Sequence, residues 1–457
     1  MGYAVYFPVS MSQKAVAIAL FCILLIAYSY SRGPKSWNSD SRLDLLYAIV
    51  DEQVLYIDAH HGNTGDKSRY GDHYYSDKAP GIALLALPAF LVARGIGIFV
   101  PSAGTWANVT WITTIGSVGL ITALGGACAF LFLCQYVRRK YAFVTVLGIF
   151  LGAAPYPYAT FLFSHSAVVG LLTMSLMLIA TKDVHSWKWI ALSGLSSGLA
   201  FASEYPALLV IGGIFLLSIA KHGAKGLAFL VGMILPVILV LLYNYACFGF
   251  PLSIGYAHVV GWPGMKSGFF GMSLSPRADV MTKLLFSRSR GLFYWTPFLL
   301  MAIPGLYLLL RRWPVHFFVT IIVFISHVAL ISSYYMWDGG GAVGPRHLAS
   351  LLPLLLLPVA YGLTMFPRLG TALVVVSMLL TGFATLIDPG PLPRVDPLFD
   401  YYIPSFIEGN VRANIANAFF GVKGAFSILP LLIIVFEAAG IVLFSLRRLP
   451  SHQQNEM

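Results

Sequence analysis

Asn38-Ser39-Asp40-Ser41-Arg42 opens the one long polar stretch of this 457-residue sequence, and Tyr74-Tyr75-Ser76-Asp77-Lys78-Ala79-Pro80-Gly81 closes it. Between these ends run Asp40, Asp44, Asp51, Glu52, Asp58, Asp66, Asp72 and Asp77, eight of the 18 acidic residues of the chain. Outward from this stretch the sequence is mostly apolar. Hydrophobic residues make up 58%, charged residues only 10%, and the mean hydropathy is +0.79. A soluble domain carries about 25% charged residues, so the composition places most of the chain in lipid. A membrane barrel alternates apolar and polar residues in short segments. Here the apolar runs are about 17–25 residues long, the length of a spanning helix.

Apolar runs fall near 15–31, 107–136, 142–160, 164–181, 187–203, 204–220, 226–247, 293–311, 315–335, 347–366, 370–388 and 425–446. The run at 81–100 is ambiguous, because it contains Pro88 and Arg94 and ends glycine-rich. Charge parity decides its reading. If it lies along the interface, Arg138, Arg139, Lys140, Lys182, Lys188, Lys221, Lys225, Arg311, Arg312, Arg368, Arg447 and Arg448 all flank spans on the inner side. That is the positive-inside pattern. The expectation is therefore an all-α polytopic membrane protein, one integral membrane domain over 1–457 with twelve spans and both ends inside. The first run is too long for a removed signal peptide, and no small-residue cleavage site follows it. In this orientation Asp183 and Glu456 are the inner acids, Glu437 sits in the last span, and the remaining acids face out.

The outer loops are 32–106, 248–292, 334–347 and 388–424, expected to pack over one another above the bundle. Irregular backbone at membrane depth survives only where protein or water satisfies it. Glu204-Tyr205-Pro206 should break two short spans at the outer face. In the first loop Ser41-x-x-Asp44 has the form of a capping box. Leu43, Leu46, Ile49, Val50 and Val54 follow at helical spacing, with Asp40, Asp44, Tyr47 and Asp51 on the other face. The expectation is an amphipathic juxtamembrane helix whose Asp44 and Asp51 are solvated. Asp40 stands where the first span leaves the membrane, and an acid at that depth is a functional candidate. Cys22, Cys128, Cys134 and Cys247 lie in or beside apolar runs and read as small core residues. The net charge of +11 is accounted for by span-flanking cations, so nucleic acid is not a partner. No Walker motif, zinc-finger spacing or nucleotide-binding fingerprint follows a plausible strand.

An acid just after the first span, an amphipathic helix, and Tyr74-Tyr75-Ser76-Asp77-Lys78-Ala79-Pro80 before an apolar segment resemble the GT-C glycosyltransferases. The branch resembled is that of the protein O-mannosyltransferases and the aminoarabinose transferases of lipid A. Phe163-Ser164-His165 and Gly344-Pro345-Arg346 also resemble features of bacterial members. Two departures stand out: Ser39-Asp40 replaces the family's acidic pair, and Asp77-Lys78-Ala79-Pro80 replaces Glu-Lys-Pro-Pro.

The resemblance implies an integral membrane glycosyltransferase of a bacterial inner membrane, active on its outer, periplasmic or extracellular face. It would move a hexosyl or pentosyl group from a polyprenyl-phosphate donor to a hydroxyl on a lipid, glycan or protein acceptor, with inversion. The leaving phosphate is already acidic, so one carboxylate base suffices, unlike glycoside hydrolysis. Asp40 fits that base. Lys78, Arg288, Arg290 and Arg346 are the outer cations expected at the donor phosphate. A divalent metal ion is a candidate cofactor, with Asp77 and His165 as its candidate ligands, against a structural role for the outer histidines His165, His258 and His347. Tyr156, Tyr158, Tyr334, Tyr335 and Trp337 could stack on sugar or belong to aromatic belts. The rival class is a transporter or flippase of lipid-linked saccharide, which would place charges in mid-span and break helices symmetrically. A non-catalytic assembly subunit is the third reading.

Overall fold

A computed structural model describes residues 11–180, 186–393 and 395–447. Lys182, Asp183, Arg448 and Glu456 lie outside the described residues. Helices dominate, as the apolar runs require. Seven helical stretches among the described residues are long and apolar enough to cross a membrane: Gly81–Phe99, Trp106–Leu133, Tyr205–Phe248, Pro314–Ser332, Arg346–Met365, Pro367–Ile387 and Gly424–Leu446. Gln13–Ser29 and Ser164–Ala180 are shorter apolar helices. The 44-residue stretch holds two of the expected runs, because Gly223 at φ +59 turns the chain between Leu208–His222 and Ala228–Phe248. The run at 293–311 is broken by Pro297 into Leu292–Trp295 and later helix, and Arg139–Leu151 stops at Gly152.

The bundle has two chemically different ends. Ser164–Ala180 is about 25 Å long at 1.5 Å per residue. Its first residues meet Glu204, and its last carbonyl, of Ala180, accepts from Lys221 at 2.5 Å. The cation therefore sits a full helix length from the acid, as the basic-loop parity requires. The polar segments near 34–42, 66–79, 161–165, 203–205, 256–265, 334–347 and 388–393 gather at the opposite end around one cavity.

The first helix, α1 (Met11–Ser29), ends beside the start of Trp106–Leu133, where the Trp111 indole donates to the Ser29 carbonyl at 3.2 Å. The next helix, α2 (Trp37–Tyr47), has its N-cap at Ser36, five residues before the cap expected from the sequence. Ser41 is thus inside the helix, where its hydroxyl pairs with Ser76 at 2.8 Å instead of capping. Leu43 and Leu46 are fully buried against Ile82, Ala86 and Phe90. Asp51 keeps its exposed position in an ion pair with Arg94 at 2.8 Å. Asp44 does not: it is 0% exposed, because loop residues around Asn63 cover the face expected to meet water.

The polar loop closes with a two-stranded antiparallel hairpin, β1 (Lys67–Tyr70) and β2 (His73–Ser76), paired Lys67 to Ser76 and Tyr70 to His73. Gly71, at φ +60, makes its turn. Helix α3 (Gly81–Phe99) follows, with a mean hydropathy of 2.2. A side chain on Gly81 would strike the Ala202 backbone, two residues from Glu204 at the cavity. At its other end Gly97 packs on Gly104, just before Trp106, whose indole donates to Asp40. The start of α3 thus meets the cavity end of the bundle, while α3 itself is long and apolar enough to cross a membrane. Its Leu91, Val92, Ile98 and Phe99 are exposed, as lipid contact requires.

Candidate functional site

The converging segments enclose a cavity of about 690 Å³, within the range of small-ligand pockets. Its walls carry cations (Lys35, Arg42, Lys78, Arg346), carboxylates (Asp66, Asp77, Glu204, Asp338, Asp388) and rings including Trp37, Tyr256, Trp262 and Tyr334. Tyr334 is the member of the expected stacking set that lines it. Tyr158 instead lies fully buried, its hydroxyl holding both the amide and the carbonyl of Val343 at 2.8 Å.

One wall descends directly from the hairpin. The Ser41–Ser76 bond fixes the end of β2, so the next two residues, Asp77 and Lys78, are delivered into the cavity. Gly255 lets a neighbouring turn lie on the Asp77 backbone, where any side chain would come within 2.9 Å. The Lys78 ammonium bridges Asp66 at 2.9 Å and Asp77 at 3.1 Å, with 11% of its side chain exposed. Burial works against that charge, but Asp66 and Asp77 outweigh it and hold the Lys78 pKa above the ordinary lysine value. Burial also opposes ionisation of Asp66, yet Lys78 pulls its pKa below the usual carboxylate value. Asp77 is the strained member. Burial, with Asp66 nearby, pushes it up to about 6 despite Lys78. Its Oδ1 is buried with no hydrogen-bond partner.

The opposite wall is set by Arg346. Gly339, at φ +73, leaves the space it fills, since a β-carbon there would lie 2.7 Å from its Nε. The guanidinium stands over the Phe163 ring at 5.2 Å, and its Nε has no partner. Arg42 reaches the cavity from α2, bonding the Asn38 carbonyl at 3.0 Å and Ser164 at 3.4 Å, with its Nε also unpartnered. Deeper in the wall, His165 meets Glu204 at 3.1 Å, and Glu204 also accepts from Ser164. The His347 Nε2 is buried without a partner. His165, Glu204 and His347 present donor atoms within 4.8 Å of one another.

Of the residues predicted from sequence, Lys78, Arg346, Asp77 and His165 meet at this cavity. Three do not line it. Arg288 is 69% exposed and pairs with Asp396 at 3.1 Å outside it. Arg290 is 1% exposed and donates to the carbonyls of Asp338 at 2.8 Å, Gly340 at 2.6 Å and Ala342 at 2.6 Å. It braces the glycine loop of the wall and spends its donors there. Asp40 is turned away from the cavity. Residues two apart on a helix point roughly 200° apart, so with Arg42 facing in, Asp40 faces out. It is 2% exposed, takes the Trp106 indole at 3.1 Å, and has its other oxygen buried unpaired. Burial raises its pKa against that bond. Asp44, one turn on, is pushed up to about 7, first by burial, with the Asn63 amide opposing and Asp40 adding to the rise.

Arg42, Asp66, Tyr256, Trp262 and Glu204 are site residues that sequence reasoning missed. For Arg42 a signal existed, because Asn38 and Arg42 stand four apart on the face opposite Asp40 and Asp44. Tyr256 and Trp262 lie in a loop without periodicity, and nothing local marks them.

No protein-family model matches the chain, and no curated protein matches it. Among solved structures it is similar to the crystal structure of ArnT from Cupriavidus metallidurans bound to undecaprenyl phosphate. The two are 16% identical, with a TM-score of 0.49, over 95% of this chain and 71% of that one.

Proposed function

We propose that this polytopic membrane protein is a glycosyltransferase that moves a sugar from a polyprenyl-phosphate donor to an acceptor hydroxyl, in a cavity at the outer face of a bacterial inner membrane. The observation that carries the reading is the pairing of Asp77, with a free buried oxygen, against Lys78, Arg42 and Arg346 in one cavity. Cations this deep, with unspent donors, suit an anion that brings its own charge. Lys78 uses two of its three N–H donors on carboxylates and keeps one.

In the reaction, an acceptor oxygen attacks the anomeric carbon while the bond from that carbon to the phosphate oxygen breaks. The acceptor proton passes to the Asp77 carboxylate, and polyprenyl phosphate leaves with the bonding pair, its charge met by Lys78, Arg42 and Arg346. The configuration inverts. A base with a pKa of about 6 suits near-neutral operation. The role expected of Asp40 thereby passes to Asp77. Asp40, held under Trp106, stays outside the cavity. Arg290 positions the loop opposite, and Arg288 has no part.

The test is binding of undecaprenyl phosphate to the purified protein in lipid nanodiscs. Lys78→Ala and Arg346→Ala should each weaken it by about 10- to 100-fold, as expected for a lost charged hydrogen bond. Arg346→Lys should also weaken it, because the planar fork is lost. Arg288→Ala should leave it unchanged. Equal affinity across all four variants would remove the phosphate from this cavity.

A further inference from the structure

We propose that His165, Glu204 and His347 form a binding site for a divalent metal ion of the zinc type, set in the deep wall of the cavity with one coordination position open to it.

The three side chains come from separate segments at fixed starting points. His165 is the second residue of the helix Ser164–Ala180, Glu204 caps Trp187–Ser203, and His347 lies in the turn Arg346–Leu351. Their donor atoms fall within 4.8 Å of one another. Ligands about 2.0–2.2 Å from one tetrahedral ion lie roughly 3.3 Å apart, and His165 and Glu204 already stand at 3.1 Å. The His347 Nε2 supplies the second observation, because it is buried and pairs with nothing. A buried imidazole nitrogen without a partner costs free energy that a ligand would recover.

The surroundings fix the carboxylate by a hydrogen bond and the imidazoles by packing. The Ser164 hydroxyl donates to the Glu204 carboxylate, and His327 Nε2 lies 3.0 Å from the His347 carbonyl. The imidazoles are edge-on to their neighbours: His165 to Tyr158 at 5.6 Å and His347 to Tyr334 at 5.6 Å. The Ser164 bond is an outer partner that fixes the orientation of the Glu204 carboxylate.

Two imidazoles and one carboxylate are the donor set of zinc with an open fourth place, whereas magnesium and calcium take mostly oxygen. All three ligands line the cavity, so the open place faces it and would hold water or an anionic oxygen. A zinc ion with one carboxylate leaves net positive charge beside Arg346 and Arg42, which favours an anionic occupant. The alternative arrangement of the same atoms is a metal-free pair of His165 with Glu204.

Metal content decides between them and needs no turnover, so the outcome stands apart from that of the glycosyl-transfer reading. The full-length protein, purified in detergent from zinc-supplemented cells and passed through gel filtration, should retain zinc at one ion per chain by elemental analysis. Chelation should lower its thermal midpoint, zinc but not magnesium should restore it, and cobalt replacement should give the visible bands of a tetrahedral site. His347→Ala and Glu204→Gln should lose the ion, Ser164→Ala should weaken zinc binding by about 10- to 100-fold, and His258→Ala should keep it. If His347→Ala fails to fold, His347→Gln, which keeps the polar bulk, takes its place. A zinc-free protein whose melting ignores both zinc and chelator would overturn the site. Undiminished zinc in Glu204→Gln and the His347 variant would overturn it equally.

Discussion

Two carboxylate pairs of the first polar loop, Asp40 with Asp44 and Asp66 with Asp77, are buried in the same protein and end with opposite chemistry. Asp40 and Asp44 are 2% and 0% exposed and have only neutral partners, the Trp106 indole and the Asn63 amide. Burial is then the deciding influence, and both drift toward the protonated form. Asp66 and Asp77 share one ammonium, Lys78. One positive charge cannot fully neutralise two acids. Asp66 is held ionised, while Asp77 is raised to about 6 and left with a free oxygen toward the cavity. Depth alone therefore does not set the chemistry of a buried acid. A shared cation and an open side also enter.

The comparison breaks most visibly in transfer. Asp77→Asn should lower the rate by about 10²–10⁴-fold, the usual share of a general base, while Asp40→Asn should retain most of it. In the wild type the rate should rise with pH through about 6 as Asp77 ionises, and this limb should vanish in Asp77→Asn. A dead Asp40→Asn beside an active Asp77→Asn would reverse the assignment. Next in size is stability. Lys78→Met leaves two acids without their buried cation and should cost about 3–5 kcal/mol by denaturant or thermal unfolding. A loss under 1 kcal/mol would mean that both acids reach water.

Asp44 sharpens the other half. Its folded pKa, raised to about 7, lies above its unfolded value, so its contribution to stability is fully present below about pH 4 and is lost as pH rises through 7. The thermal midpoint should therefore fall between pH 5 and 8, by the equivalent of ~1–3 kcal/mol. Asp44→Asn, which still accepts from Asn63, should flatten that slope. An unchanged slope would place the titration elsewhere. The smallest effect belongs to the pair whose cation is exposed: Arg288→Ala should change stability by about 1 kcal/mol or less, although its distance to Asp396, 3.1 Å, equals that of Lys78 to Asp77.

The two pairs also show what a sequence can hold. Asp40 drew attention by standing just beyond the first span, and Asp77-Lys78 by closing the loop before an apolar helix. Position along the chain ranked the first above the second. The direction of a side chain around α2 could be read only relative to Arg42, and nothing in the sequence said which of the two faces would look into the cavity. Likewise Lys78, Arg288, Arg290 and Arg346 are equivalent as outer cations in sequence. Only packing separates a cavity donor from a loop brace and a surface pair.

The sequence by itself determined the helical membrane bundle and the polar segments that build the cavity. These follow from transfer free energies summed over long runs, which a linear pattern records well. The tertiary structure alone decided which acid is paired, which has a free oxygen, and that the side chains of His165, Glu204 and His347 converge from distant segments. Those outcomes depend on distances of a few ångströms between segments far apart in the chain, and an isolated sequence carries no term for them.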